Sequence, residues 1–302
     1  MRVIVTGGTD LIGSALVASL AADQHEVIVL SRSPDRAPAL PSGVQVVGWD
    51  ARTASGWGHL ADGVDGIVNL AGASIAGLWT SERRRRIRDS RLHAGQAIVE
   101  AVGAAKVKPR VLIQSSGIGI YGACADDITR EGAAPGRDFL AQMAVDWEAA
   151  VAPVQAHGVR VATIRTGMVM SMKGGAFPLM VWPFRLFVGG HLGNGSQWLP
   201  WIHMDDEVGA IRFLLENDAA EGPFNLVAPQ TLRNAQFSDL LGKVMRRPSW
   251  LHMPAFFFRL LLGEMSILLL AGQRAVPEKL QGLGYEFRYP TAEPALRDAL
   301  GR

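Results

Sequence analysis

The chain has 302 residues, a formal charge of +2, and 48% apolar against 19% charged residues. At roughly 150 residues per domain this length predicts about two domains, or one large α/β domain with an appendage. The apolar content excludes a disordered chain. A charge this near neutral argues against a nucleic-acid groove, in spite of a pI of 8.9. Cys124 is the only cysteine. It excludes an intramolecular disulfide and a cysteine-rich zinc site, and it fits a reducing cytoplasm.

The first residues read as a strand, Arg2–Thr6, rather than a signal peptide. A helical pattern follows from Leu11 to Ala22, then apolar runs at Glu26–Leu30, Val44–Gly48 and Ile67–Leu70. Next come a long helical pattern from Ser81 to Ala105, a strand at Val111–Gln114, a helix over Asp138–His157 and a strand at Val159–Ile164. Strands alternating with helices predict βαβ units, hence a Rossmann-type, doubly wound parallel sheet in an α/β fold. Continuously apolar strands fit a sheet covered on both faces.

After about Thr166 the rhythm breaks into glycine pairs among Trp182, Trp198 and Trp201. This stretch predicts the floor and lid of a pocket. Helical patterns resume at Asp205–Glu216, Asn234–Arg246 and Pro254–Ala271. The apolar segment Ala255 to Gly272 is interrupted by Arg259 and Glu264 and is short of a span, so it reads as a buried or lid helix. The expected division is a dinucleotide-binding domain over 1–170 and a mainly substrate-binding region over 171–302. In that second region, the helix at 205–216 and a strand at 223–227 pack back on the first.

Thr6-Gly7-Gly8-Thr9-Asp10-Leu11-Ile12-Gly13 joins the first strand to the first helix. A glycine-rich turn there brings a pyrophosphate to the unpaired N–H groups and positive end of a helix. The expected contacts are Gly7, Thr9, Asp10, Leu11, Ile12 and Gly13. Asp10 stands where the middle glycine usually lies. It adds bulk and negative charge, and as an N-cap residue it could satisfy the helix's free N–H groups itself. The second strand ends in Ser31-Arg32, where an NAD site wants an acidic residue. The planar, always charged fork of Arg32 suits a 2′-phosphate, which predicts NADP(H). Asp50 closes the third strand, and Asn69-Leu70-Ala71-Gly72 closes the fourth beside the cofactor's central ribose.

These residues resemble the extended short-chain dehydrogenase/reductases, and within them the NAD-dependent epimerase-like proteins with a C-terminal module. Further marks are Asp89-Ser90-Arg91-Leu92, Ser115-Ser116 through Tyr121-Gly122, and Asp146-Trp147-Glu148. Arg165-Thr166-Gly167 and Pro200-Trp201-Ile202-His203 complete the series. The resemblance spans essentially the whole chain and adds Arg91, Ser115 and Thr166 as expected cofactor contacts. It also exposes departures. Ala73 and Leu78 stand where such proteins commonly carry Glu and Arg.

Such enzymes usually move a proton with Tyr in a Tyr-x-x-x-Lys helix, assisted by Ser. Registered on the motifs, those places hold Leu140, Ala144 and Gly117. Tyr121, Ser116 and Asn69 remain as catalytic candidates. His203, before Asp205 and Asp206, reads as a structural histidine at a helix start. No metal spacing is visible among the histidines. The arginine run Arg83–Arg86 reads as a solvated helix face.

The expected function is an NADP(H)-dependent oxidoreductase or epimerase-like enzyme. It would transfer hydride on a small, partly apolar carbonyl or alcohol, acting as a monomer or homodimer with no nucleic-acid or membrane partner. The alternative is a dinucleotide-binding sensor or scaffold without turnover.

Overall fold

The computed structural model describes residues 1–124 and 126–302. A seven-stranded, all-parallel sheet runs through it. Its strands are β1 (Arg2–Thr6), β2 (Glu26–Ser31), β3 (Gln45–Gly48), β4 (Gly66–Asn69), β5 (Val111–Gly117), β7 (Arg160–Thr166) and β11 (Gly222–Leu226). Their order is β11-β7-β5-β4-β1-β2-β3. Strand order reverses between β1 and β4, and this is the crevice where doubly wound sheets take their ligands.

Alternate residues of the same strands feed two separate cores, as the period of two requires. Val3, Val5, Val27, Val29 and Val68 pack against α1 (Leu11–Ala22) and α5 (Met204–Glu216). Ile4, Ile28, Ile67 and Leu112 face the other way, onto α2 (Ser81–Ala104), where Ala94, Ala97, Ile98 and Ala101 receive them. Each such fully buried side chain contributes roughly 1.5–3 kcal/mol.

Helix α3 (Phe139–Ala149) is shorter than the pattern over Asp138–His157 suggests. The backbone passes into a 3-10 turn over Ala152–His157, where Pro153 lacks the N–H that would continue the helix.

Short strands β6 (Ile128–Thr129), β8 (Met168–Met170), β9 (Trp198–Leu199), β10 (Trp201–His203), β12 (Leu232–Arg233) and β13 (Arg274–Ala275) form two-stranded pairs outside the main sheet. A third core joins α4 (Phe177–Arg185), α6 (Asn234–Met245) and α10 (Ala292–Ala299) through Phe177, Phe184, Trp201, Phe237, Leu241 and Leu296.

The expected helix over Pro254–Ala271 is divided. Gly263, at φ +56°, ends α7 (Ala255–Leu262); a 3-10 turn and the short α8 (Ile267–Leu270) follow, ahead of α9 (Glu278–Gly282). None of the residues of α7 is buried, so this element is no core helix.

Candidate functional site

At the sheet's crevice a cleft of about 390 Å³ is lined by Gly7, Thr9, Asp10, Ser31, Arg32, Ser33, Arg36, Trp49, Ala71, Gly72 and Ala73, among others. Its floor is the turn between β1 and α1. Gly7 has φ +68°, a left-handed backbone that favours glycine. A Cβ on Gly13 would lie 2.1 Å from the Gly7 carbonyl oxygen, so only glycine lets helix and turn approach this closely.

Asp10 occupies the N-cap position of α1, but its side chain makes no capping hydrogen bond. The carboxylate is exposed on the cleft wall instead. The reading of Asp10 as a residue that fills the anion site itself is therefore corrected. The N–H groups of Leu11, Ile12 and Gly13, which a first helical turn leaves without intrahelical acceptors, stay open. Such a cradle fits a dinucleotide pyrophosphate.

The cleft's far rim is basic. Ser31 ends β2, Arg32 and Ser33 follow it, and Arg36 lies in a single 3-10 turn over Pro34–Arg36. Among the described residues neither arginine takes part in an ion pair. Arg36 escaped the sequence reading, although its position four residues after Arg32 in a proline-led turn could have pointed to it. A second chamber of about 390 Å³ shares Arg32, Ala51, Ala73 and Ser90 with the first and adds Asp50, Arg52, Arg85 and Arg86. Asp50 accepts hydrogen bonds from the N–H groups of Arg52 (2.7 Å) and Thr53 (2.8 Å). These backbone bonds, Thr53 foremost, hold its carboxyl below the usual range.

Leu70, Ala71 and Gly72 continue β4 into the cleft wall, and Ala71 and Gly72 line it. Arg91 turns inward beneath this wall. Its Nη1 donates to the carbonyls of Ala73 (3.0 Å) and Ile87 (2.9 Å), and its guanidinium stacks over Trp147 at 4.6 Å. Burial lowers its pKa to about 10. Arg91 thus supports the loop at Gly72 and Ala73 from below and does not line the cleft.

The three catalytic candidates are all committed to the interior. Asn69 accepts from Thr6 Oγ1 (2.7 Å) and donates to Gln114 Oε1 (2.9 Å), tying together the ends of β1, β4 and β5. The Ser116 hydroxyl donates to Glu148 Oε1 at 2.7 Å. The Tyr121 hydroxyl donates to Asn225 Oδ1 at 2.7 Å and accepts from Arg165 Nη1 at 2.8 Å. Burial pushes the Tyr121 hydroxyl above its ordinary pKa, and the Arg165 charge only partly offsets this. A buried phenol with a raised pKa and both roles filled is a poor general acid, so the geometry corrects the Tyr121 expectation. Ser115 is half-buried at the end of β5, with no side-chain partner among the described residues.

Two further features escaped the sequence reading. Arg165 grips both oxygens of Glu148, through Nε and Nη2, each at 2.9 Å. It also donates to the Glu131 carbonyl oxygen (2.9 Å). This network joins the Asp-Trp-Glu and Arg-Thr-Gly motifs. The second is Glu207, fully buried in the first turn of α5. Its Oε1 accepts from Thr166 Oγ1 at 2.8 Å, and its Oε2 has no partner. Burial without a counter-charge pushes this carboxyl up to about 8. Thr166, expected at the cofactor, thus spends its hydroxyl on Glu207.

His203 caps α5, its Nδ1 accepting the Asp205 N–H at 3.2 Å. Its Nε2 lies 3.3 Å from Asp298, and Tyr289 packs on the ring at 4.0 Å. His203, Asp205 and Asp298 bring one ligand atom each within 4.8 Å of one another. With the Nδ1 lone pair used by the cap, a neutral ring carries its proton on Nε2, facing Asp298 as a donor rather than a metal. The cluster is a structural clasp.

Comparison with known proteins agrees with this geometry. Residues 3–227 match the model of the NAD dependent epimerase/dehydratase family, and residues 253–299 match a domain of unknown function, DUF1731. An epimerase family protein SDR39U1 homolog, chloroplastic, from Arabidopsis thaliana is 37% identical over 98% of this chain and 86% of its own length. The epimerase family protein YfhF of Bacillus subtilis is also 37% identical, over 98% of this chain and 97% of its own. The crystal structure of human epimerase family protein SDR39U1 with NADPH superposes with a TM-score of 0.89 at 31% identity, covering 100% of both chains. A UDP-galactose 4-epimerase at 19% identity and TM-score 0.76 shares the fold. By its sheet order, its glycine cradle and these matches, the chain belongs to the NAD-dependent epimerase/dehydratase family of extended short-chain dehydrogenases/reductases.

Proposed function

We propose that the chain is an NADP(H)-dependent oxidoreductase or epimerase-like enzyme that transfers hydride on a small, partly apolar carbonyl or alcohol. The observation that carries the cofactor choice is the pair of ion-pair-free arginines, Arg32 and Arg36, on the rim of the glycine-floored cleft. Planar guanidinium forks match phosphate oxygens, and Arg32 stands after the second strand where an NAD site wants an acidic residue. The NADPH-bound human relative supports the same choice.

Gly7, Thr9, Leu11, Ile12 and Gly13 would hold the pyrophosphate; Ser31, Arg32 and Arg36 the 2′-phosphate; Asp50, Ala71 and Gly72 the adenosine end. The bound cofactor supplies the hydride, and the chain orients it. Residues 171–302 form mainly the substrate region, and the single cysteine suits the cytoplasm. The usual Ser-Tyr-Lys groups play no part, since their places hold Gly117, Leu140 and Ala144.

The engagement of Tyr121, Ser116 and Asn69 in the interior favours a second reading, a dinucleotide-binding sensor without turnover. Native mass spectrometry of freshly purified protein tests cofactor retention, and NADPH oxidation with a panel of carbonyl compounds then separates the two. Bound NADP(H) with slow oxidation is expected. Bound NADP(H) with no oxidation across the panel selects the sensor, and absence of any dinucleotide overturns both.

A further inference from the structure

Helix α4 buries Phe177, Val181 and Phe184 and turns the stripe Leu179, Trp182 and Leu186 outward. Helix α7 has no fully buried residue, and its i, i+4 pairs Phe256–Leu260 and Phe257–Leu261 are exposed. Leu179 at 73% and Leu260 at 79% exposure stand proud of the surface, unlike residues walling a cleft. The two helices flank one short ribbon, with bridges Gly189–Ser249 and Leu192–Met253. Exposed Trp250 lies on this ribbon beside the end of α4, its indole donating to the Phe187 carbonyl oxygen at 2.9 Å. Single exposed leucines need no explanation, but a run of this extent marks an interaction surface.

The charge around it selects the occupant. Arg185, Arg246, Arg247 and Arg259 border these aromatics, and residues 177–190 and 246–263 contain no acidic residue. None of the four arginines forms an ion pair among the described residues. Arg185 stacks over Trp182 at 5.2 Å and Arg247 over Phe187 at 4.3 Å, an arrangement that keeps apolar stems low and charge at the rim. Glu264, just past α7, is paired with Arg84, and Asp239 accepts from Ser249 Oγ at 2.9 Å.

We propose that α4 and α7, with Trp250 between them, form a peripheral docking face for an anionic lipid surface. Tryptophan, phenylalanine and leucine enter the headgroup boundary while arginines meet the lipid phosphates. A second copy of the chain is the poorer occupant, because a two-fold contact would bring the same arginines together without a counter-charge. This departs from the sequence expectation of no membrane partner, although among the described residues no helix is long and apolar enough to cross a membrane. Surface docking needs no such helix.

The test uses the full chain without cofactor, so it is independent of the enzymatic reading. The chain is sedimented with vesicles of phosphatidylcholine alone or mixed one-to-one with phosphatidylglycerol, at low and high salt. Binding to the mixed vesicles only, weakened by salt, is expected. Phe256→Ser with Leu260→Ser should abolish it, and Arg246→Glu with Arg259→Glu should weaken it by at least about tenfold, at roughly fivefold per arginine. All four side chains are exposed, so circular dichroism and NADPH binding should stay as in the parent chain. Failure to bind, equal binding to neutral vesicles, or variants that bind like the parent would overturn the proposal. So would a dimer in light scattering that Phe256→Ser with Leu260→Ser dissociates, which would assign the face to a second copy.

Discussion

Glu207 is the most unusual single residue, a carboxyl with no exposure, one bonded oxygen and no counter-charge. Its pKa in the folded chain, about 8, lies above its ordinary 4.5. Between those values the folded chain holds a proton that the unfolded chain releases, so stability is full below the lower value and falls as pH rises toward the higher. The full loss is about 5 kcal/mol at ~1.4 kcal/mol per unit of pKa. Urea melts at pH 5 and pH 8 should show this decline in the parent chain and most of it removed in Glu207→Gln, which keeps the shape without the charge. A variant whose melts track the parent at both pH values would refute the assignment. A second residue-scale prediction concerns the cleft rim. Charge-assisted bonds contribute roughly 1.5–3 kcal/mol each, fewer where solvent competes. Arg32→Ala with Arg36→Ala should therefore weaken NADPH binding about a hundredfold in fluorescence titration and leave NADH binding unchanged.

The glycine turn and α1 act as one element. Gly7 and Gly13 were legible in the sequence because the backbone geometry they permit is local. The orientation of Asp10 was not legible, since capping its own helix and facing the cleft are equally compatible with the N-cap position. With no capping bond to hold it, Asp10 stands as a like charge beside an incoming phosphate. Asp10→Gly should tighten NADPH binding about fivefold, a change of ~1 kcal/mol appropriate to a solvated pair of charges. Isothermal titration at low salt checks this, and an unchanged Kd would show that the carboxylate turns away when cofactor binds. Among the other elements, α5 is bound to the C-terminal tail by Asp206, which accepts the N–H groups of Arg288 (2.7 Å) and Tyr289 (2.9 Å). That bond spans residues too far apart in sequence for any local pattern to announce it.

At the scale of the molecule, β11 joins the sheet beside β7, and α5 packs against α1, so the later part of the chain completes the first core. Cofactor binding should accordingly stabilise the whole fold. At a hundredfold excess over Kd the gain is about 2.7 kcal/mol. Thermal melts should shift upward with NADPH, less so with NADH at equal concentration, and in a single transition. Two separate transitions, only one responding to NADPH, would contradict the shared core.

The alternation of strands and helices over the first half and the glycine turn were legible in the sequence itself, because each rests on periodicity or backbone chemistry within a few residues. The family resemblance rested on the same local motifs. Which polar groups face a ligand was decided only by the tertiary structure. Asn69, Ser116 and Tyr121 carry the right chemistry, but their partners Thr6, Glu148, Asn225 and Arg165 lie on other strands and helices, and those partners consume it. The same holds for the segment from Ala255, whose composition suits burial as well as display. In α7 Phe256, Phe257, Leu260 and Leu261 are exposed and Phe258 and Leu262 half-buried, while the third core is built from α4, α6 and α10 without it.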